Sequence, residues 1–302
     1  CTLDLPLGQY YVKELKAPAG FVSSDEVLNL NASYQGQDVK TVKLKTVKKN
    51  QPTTVEITKS DVTTGVELDG AKLTVFDKEG NVVDQWTSVK DQPHVIKRLT
   101  VGEEYTLREE MAPYGYLKAM DVKFTLEDTE EIQKVEMKDD VTKVQISKTD
   151  ITGETEIPGA KLTILDKDDQ VVESWTSTEE AHYIEKLPIG KYTLREEQAP
   201  KGYLLTADVT FEVKDTGEIQ KVAMKDDTAK GKVILNKTDK SSGEPLKGVE
   251  FELRDSKGKV LETLKTDAAG HAESKLYEIA TFKNGKYDTV IKYYLVETKT
   301  LD

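Results

Sequence analysis

The 302-residue chain carries a formal net charge of −12 at neutral pH, with 43 Lys and Arg against 55 Asp and Glu. That balance, without a basic patch, argues against nucleic acid as a partner, while a hydrophobic fraction of 37% suits small, well-solvated folded domains. No apolar run is long enough to span a membrane and no leader is recognisable. Cys1 is the single cysteine, so no disulfide framework is available and Cys1 reads as an ordinary strand residue.

In chain order, the first pattern is Tyr10, Val12, Glu14, Ala17, Pro18, Gly20 and Phe21. It returns in full as Tyr105, Leu107, Glu109, Ala112, Pro113, Gly115 and Tyr116, and again as Tyr192, Leu194, Glu196, Ala199, Pro200, Gly202 and Tyr203. A clipped copy, Tyr293, Leu295 and Glu297, stands near the end. A second pattern, Val55, Ile57, Lys59 and Asp61, recurs as Val144, Ile146, Lys148 and Asp150 and as Val233, Leu235, Lys237 and Asp239, which spaces the lysines 89 residues apart. Such a period exceeds the short solenoid and propeller units and matches a small domain with its own core. The expected organisation is a partial domain over 1–52, complete domains over 53–140 and 141–228, and a second partial domain over 229–302, an array cut at both ends.

Within each repeat, short runs alternate apolar and polar residues: Ala71 to Phe76, Val82 to Trp86, His94 to Leu99, Val122 to Leu126 and Ile132 to Met137. A period of two predicts strands with one buried face. Turn signals separate them at Asp69-Gly70, Gly80-Asn81, Val101-Gly102 and Pro113 to Gly115, with counterparts at Pro158-Gly159, Pro188 to Gly190 and Lys247-Gly248. No amphipathic helix of useful length is present. About seven strands per repeat predict an all-β fold of tandem antiparallel sandwiches.

The ordered combination of the strand lysine, the Tyr-x-Leu-x-Glu-x-x-Ala-Pro-x-Gly-Tyr run and an Asp or Asn closing the last strand resembles the Cna protein B-type domains. These are also called SpaA-like prealbumin-fold domains, of Gram-positive surface adhesins and pilins. The resemblance covers nearly the whole chain. It implies an intramolecular isopeptide bond between the lysine and the Asp or Asn, promoted by the glutamate. Carried onto this sequence, it pairs Lys59 with Asp139 beside Glu109, and Lys148 with Asp226 beside Glu196. Asp140 and Asp227 follow directly but fall on the opposite face of a strand and rank second. The first partial domain offers Glu14 and Asn50, and the last offers Lys237 and Glu297. Each lacks a third member, so neither end is expected to be cross-linked.

Elementary chemistry supports the same residues. An amine attacks a carboxyl only when neutral, and burial disfavours the charged forms of both lysine and carboxylic acid. A protonated Glu could then polarise the Asp carbonyl and pass the amine proton to the departing water, with fixed proximity replacing a bimolecular encounter. Lys59 shares the parity of Val55 and Ile57, and Glu109 that of Tyr105 and Leu107, so both should point inward. A plain buried ion pair would satisfy the same parity. Glu110 and Glu197 fall on the outward parity. By analogy with disulfides, closing loops of 80 and 78 residues would stabilise each domain by roughly 4 to 5 kcal/mol.

Other patterns in the sequence point to no further chemistry. Leu5 to Gly8 and Leu187 to Gly190 read as turns, not sorting signals; His94, His182 and His271 lack a second ligand at metal spacing, and no cofactor fingerprint is present. The acidic pairs Asp139-Asp140 and Asp168-Asp169 lack a calcium-loop pattern, and Trp86 and Trp175 read as strand packing rather than a ligand platform. The two ends are complementary, which would permit chains to join head to tail through a composite domain. The expected function is a structural stalk of an extracellular, cell-wall-anchored adhesin or pilin, with neighbouring domains as partners and no turnover enzyme activity. The alternative is direct binding of a host or matrix ligand through the loops, which an exposed apolar patch would favour.

Overall fold

The computed structural model describes residues 5–299, and no helix occurs among them. Cys1 lies outside the described residues. Strands β1 (Gly8–Lys13) and β2 (Val27–Ala32) form an antiparallel pair. Seven strands follow: β3 (Thr54–Asp61), β4 (Lys72–Phe76), β5 (Val82–Thr87), β6 (His94–Lys97), β7 (Glu104–Met111), β8 (Val122–Thr125) and β9 (Gln133–Asp139). The next seven repeat them: β10 (Lys143–Asp150), β11 (Lys161–Leu165), β12 (Val171–Thr176), β13 (His182–Glu185), β14 (Gly190–Gln198), β15 (Val209–Val213) and β16 (Ile219–Asp226). The remaining strands are β17 (Lys230–Gly231), β18 (Ile234–Asn236), β19 (Glu250–Arg254), β20 (Val260–Lys265), β21 (His271–Glu273), β22 (Tyr277–Glu278), β23 (Ala280–Lys283), β24 (Lys286–Val290) and β25 (Tyr294–Lys299). Two compact units divide the chain, one running through Thr142 with Asp215–Gly217 and the other comprising Lys143–Lys214 and the residues from Glu218 on.

In the first unit, a three-stranded sheet β6-β3-β9 packs on a four-stranded sheet β5-β4-β7-β8. The period-two pattern sets which side chains meet. Val55 and Ile57 on β3, Leu73 and Val75 on β4, Leu107 on β7 and Met137 on β9 are all buried between the sheets. Tyr105 stacks on Phe124 at 5.7 Å between ring centroids and closes one end of this core. The second unit contains the same arrangement, sheets β13-β10-β16 and β12-β11-β14-β15 around Val144, Ile146, Leu162, Ile164, Leu194 and Met224. Beyond it, β20-β19-β25 form a three-stranded sheet over a smaller core of Val249, Phe251, Leu264 and Ala272.

The all-β sandwich expected from the strand pattern is present, with one feature that alternation does not encode. Among the described residues all strand pairs are antiparallel except β3 with β9 and β10 with β16, which run parallel. The first and last strands of each sandwich therefore end at the same pole. The strand expected to reach Leu99 stops at Lys97, because Arg98 adopts a left-handed backbone, φ 67°, and turns its amide to the Thr53 carbonyl at 3.0 Å.

Leu107 is fully buried on a strand with neighbours on both sides. Leu107→Ala should destabilise the sandwich by about 2–5 kcal/mol, whereas Val82→Ala, at a site 61% exposed, should change it by about 0.5 kcal/mol or less. Denaturant unfolding midpoints of the two variants check the contrast.

Candidate functional site: two buried lysine–carboxylate triads

Lys59 is the third inward residue of β3, after Val55 and Ile57, and it is 3% exposed. Its Cα partner on β9 is Met137, and Asp139 is the next residue of β9 on the same face. That offset, about 6.6 Å along a strand, lies within reach of a lysine side chain. Lys59 Nζ accordingly donates to Asp139 Oδ1. The glutamate arrives from the opposite sheet: Glu109 Oε1 on β7 lies 3.2 Å from the same nitrogen. The second sandwich repeats the arrangement, with Lys148 Nζ donating to Asp226 Oδ1 and lying 3.0 Å from Glu196 Oε1. All six side chains are at most 2% exposed.

A backbone donor holds each glutamate. The Ala119 amide donates to Glu109 Oε2 at 2.6 Å, and the Thr206 amide to Glu196 Oε2 at 2.9 Å. The loop that supplies this amide begins at the Ala-Pro-x-Gly-Tyr run, which gives that run a structural purpose. Tyr116 adds an anchor, donating its hydroxyl to Asp61 Oδ2 at 2.9 Å. These two contacts escape a sequence reading because one donor is a main-chain group that any residue supplies. Their only trace is constant spacing, ten residues from glutamate to amide.

The electrostatics raise the proton affinity of each aspartate. Burial pushes Asp139 up to about 7; the lysine's hydrogen bond and charge oppose this, and the neighbouring Glu109 adds to it through charge and hydrogen bonding. Asp226 is pushed up to about 6 by the same causes in the same order. Glu109 Oε1, Asp139 Oδ2, Glu196 Oε1 and Asp226 Oδ2 are buried without a hydrogen-bond acceptor or donor aligned to them. Two carboxylates facing one ammonium with oxygens in that state are costly to keep ionised, which is why the aspartate holds a proton more readily than usual. Beside the second triad, a cleft of about 330 Å3 is lined by Lys148, Trp175 and His182.

The residues expected to rank second point elsewhere. Asp140 Oδ1 accepts from the Val141 amide, and Asp227 Oδ1 from the Thr228 amide. Near the start of the chain, Asn50 Nδ2 donates to Glu14 Oε1 at 2.9 Å and Oε2 at 2.8 Å, while the Ser24 amide, again ten residues on, donates to Glu14 Oε2. Near the end, Lys237 Nζ lies 2.8 Å from Glu297 Oε2, both side chains about 30% exposed. Trp86 stacks on His94 at 4.0 Å and Trp175 on His182 at 4.3 Å, with His94 bonded to Asp84 and His182 to Glu173. Considered singly, as in the sequence, neither ring suggests this pairing across the open edge of each sandwich.

Residues 53–141, 142–228 and 231–302 each match the model of the SpaA family, a prealbumin-like fold domain. The chain belongs to this family. The TIE protein of Bacillus anthracis is similar over 83% of this chain, at 26% identity and a TM-score of 0.50; the SpaA-family chain spans about half, 49%, of that protein's length. BcpA, the major pilin subunit of Bacillus cereus, aligns at 15% identity and a TM-score of 0.43, covering 82% of this chain and 95% of its own. The shaft pilin spaA of Lactobacillus rhamnosus GG aligns at 14% identity and a TM-score of 0.30, covering 59% of this chain and 98% of its own. No curated protein matches the sequence.

The raised value of Asp139 has a consequence for stability in chains whose lysine is removed. An acid whose folded value lies above its unfolded value, about 3.9, contributes stability that is complete below that pH and is lost as the pH rises through the folded value. In Lys59→Met the opposing ammonium is gone, so the loss runs through pH about 7 and beyond. The stability difference between Lys59→Met/Asp139→Asn and Lys59→Met should therefore widen in favour of the double variant from pH about 4 to 8. Thermal unfolding across that range checks it, and a constant difference would contradict the assignment.

Proposed function

We propose that this SpaA-family chain is a stalk segment of an extracellular, surface-anchored adhesin or pilin. Its complete domains, 53–140 and 141–228, each close with an intramolecular isopeptide bond, Lys59 to Asp139 and Lys148 to Asp226. The observation that supports this reading is the pair of dry triads, each with one amine, one acid of raised affinity for its proton and a second carboxyl fixed by a backbone amide.

In the proposed reaction a proton passes from the lysine ammonium to the aspartate, leaving a neutral amine beside a neutral acid. Nζ attacks Cγ, the N–C bond forms, and the glutamate takes a proton from nitrogen. Glu109 or Glu196 returns that proton to the departing hydroxyl, the C–O bond breaks, and one water leaves. No oxidant, metal or cofactor enters the balance. Fixed geometry supplies the advantage of an intramolecular reaction. Each triad reacts once and consumes its nucleophile, so the chain is not an enzyme in the ordinary sense.

The mechanical consequence follows from the parallel first and last strands. Tension along the chain enters at the start of β3 and leaves at the end of β9. A bond from Lys59 to Asp139, 80 positions apart in sequence, carries that load directly and shields the chain between them. A disulfide could do likewise, but the isopeptide does not respond to reductant. Glu14 with Asn50, and Lys237 with Glu297, pair residues of the same kinds.

Intact-mass spectrometry tests the proposal. The chain should weigh less than its calculated mass by two waters, Lys59→Ala or Lys148→Ala should each restore one, and the double variant both. Glu109→Ala should block or strongly slow the first loss only. A chain at its unmodified mass would overturn the reading.

A further inference from the structure

The last segment contains an insertion that the two sandwiches before it lack. From His94 to Glu109 is 15 residues and from His182 to Glu196 is 14, but the corresponding span from His271 to Glu297 is 26. The added chain folds into the hairpin β23–β24. Its aromatic residues do not join the nearby core, which consists of Val249, Phe251, Leu264 and Ala272 with Leu235 and Leu246 against it. They turn instead to the β10–β16 sandwich of the same compact unit. Phe282 packs on Tyr203 with ring centroids 4.6 Å apart and meets Tyr287 edge-on at 6.5 Å. Lys201 Nζ lies over the Tyr287 ring at 3.9 Å from its centroid, and Lys286 forms an ion pair with Glu179 at 2.6 Å.

Two glycines permit the approach. A Cβ on Gly202, φ 90°, would sit 3.0 Å from Phe282 Cζ, and one on Gly285, φ 71°, would sit 3.2 Å from the Ile157 Cα. Hairpin and sandwich therefore meet main chain against ring and main chain against main chain, closer than side chains would allow. The receiving surface is particular to this sandwich. At the matching positions of the β3–β9 sandwich, Tyr114 stands in place of Lys201 and Lys90 in place of Glu179, while Tyr116 is tied to Asp61 at 2.9 Å. Lys286 would there face a like charge.

We propose that the β23–β24 hairpin is a docking clasp that recognises the Lys201-Gly202-Tyr203 corner and Glu179 of the preceding sandwich and fixes the β17–β25 segment upon it. The aromatic contact supplies most of the attraction, since an ion pair whose side chains are more than half exposed contributes little. The charges select the partner, because the same hairpin placed against the β3–β9 surface would meet Lys90. The consequence is a stiff joint at this position of the array. The clasp does not depend on either isopeptide bond, so it stands or falls separately from them.

Amide hydrogen exchange of the full chain tests it. Phe282→Ala should speed exchange by about tenfold or more both within residues 280–290 and at residues 201–206 of the other sandwich. Glu179→Lys and Lys286→Glu should each speed it about two- to fivefold, and the combined charge swap should restore protection. Unchanged exchange at 201–206 in Phe282→Ala would overturn the clasp, as would failure of the swap to restore what the single variants lose. Should Phe282→Ala also open β19–β25, the charge variants, which alter only exposed side chains, decide the question.

Discussion

The structure depends on the burial of an ammonium and two carboxyl groups between the sheets of each sandwich. Three ionisable groups at most 2% exposed are the most expensive thing either sandwich contains. Placed singly, any of them would destabilise the fold. Together they cancel most of their charge, and the raised proton affinity of the aspartate lessens the cost of the remainder. The same environment that makes ionisation costly makes condensation to a neutral amide favourable, because an amide carries no charge to be desolvated. The fold and the proposed chemistry are thus two consequences of one placement.

Topology creates that placement. Lys59 and Asp139 are far apart in the chain and meet only because β3 and β9 run parallel side by side, offset by one inward residue. Glu109 arrives from the facing sheet, held by the Ala119 amide. The Ala-Pro-x-Gly-Tyr run, which carries no reactive group, earns its recurrence by turning the chain so that this amide faces the glutamate. Tyr116 and Asp61 secure the turn in the first sandwich, and Phe282 packs on Tyr203 in the second.

Much of this was legible from residue order. Alternation located the strands, and the shared parity of Val55, Ile57 and Lys59 indicated that a lysine faces the core, as it does. The parity of Glu109 and the outward position of Glu110 were equally readable. The pairing of lysine with aspartate came from resemblance to a family, since parity says which face a residue occupies and not which strand lies beside it. The parallel pairing, the backbone amides on the glutamates and the Trp–His stacks depend on register between distant segments, which a local pattern does not carry. The β23–β24 hairpin was hidden differently: it reads as one more alternating pair, and only its destination on another sandwich gives it meaning.

In the proposed reaction each buried amine becomes an amide. Nuclear magnetic resonance of the chain labelled with 15N at lysine Nζ observes that nitrogen directly. Two amide-type N–H correlations are expected, vanishing one at a time in Lys59→Ala and Lys148→Ala, with all other lysines as ammonium. A spectrum containing ammonium signals alone, from a folded chain, would contradict it.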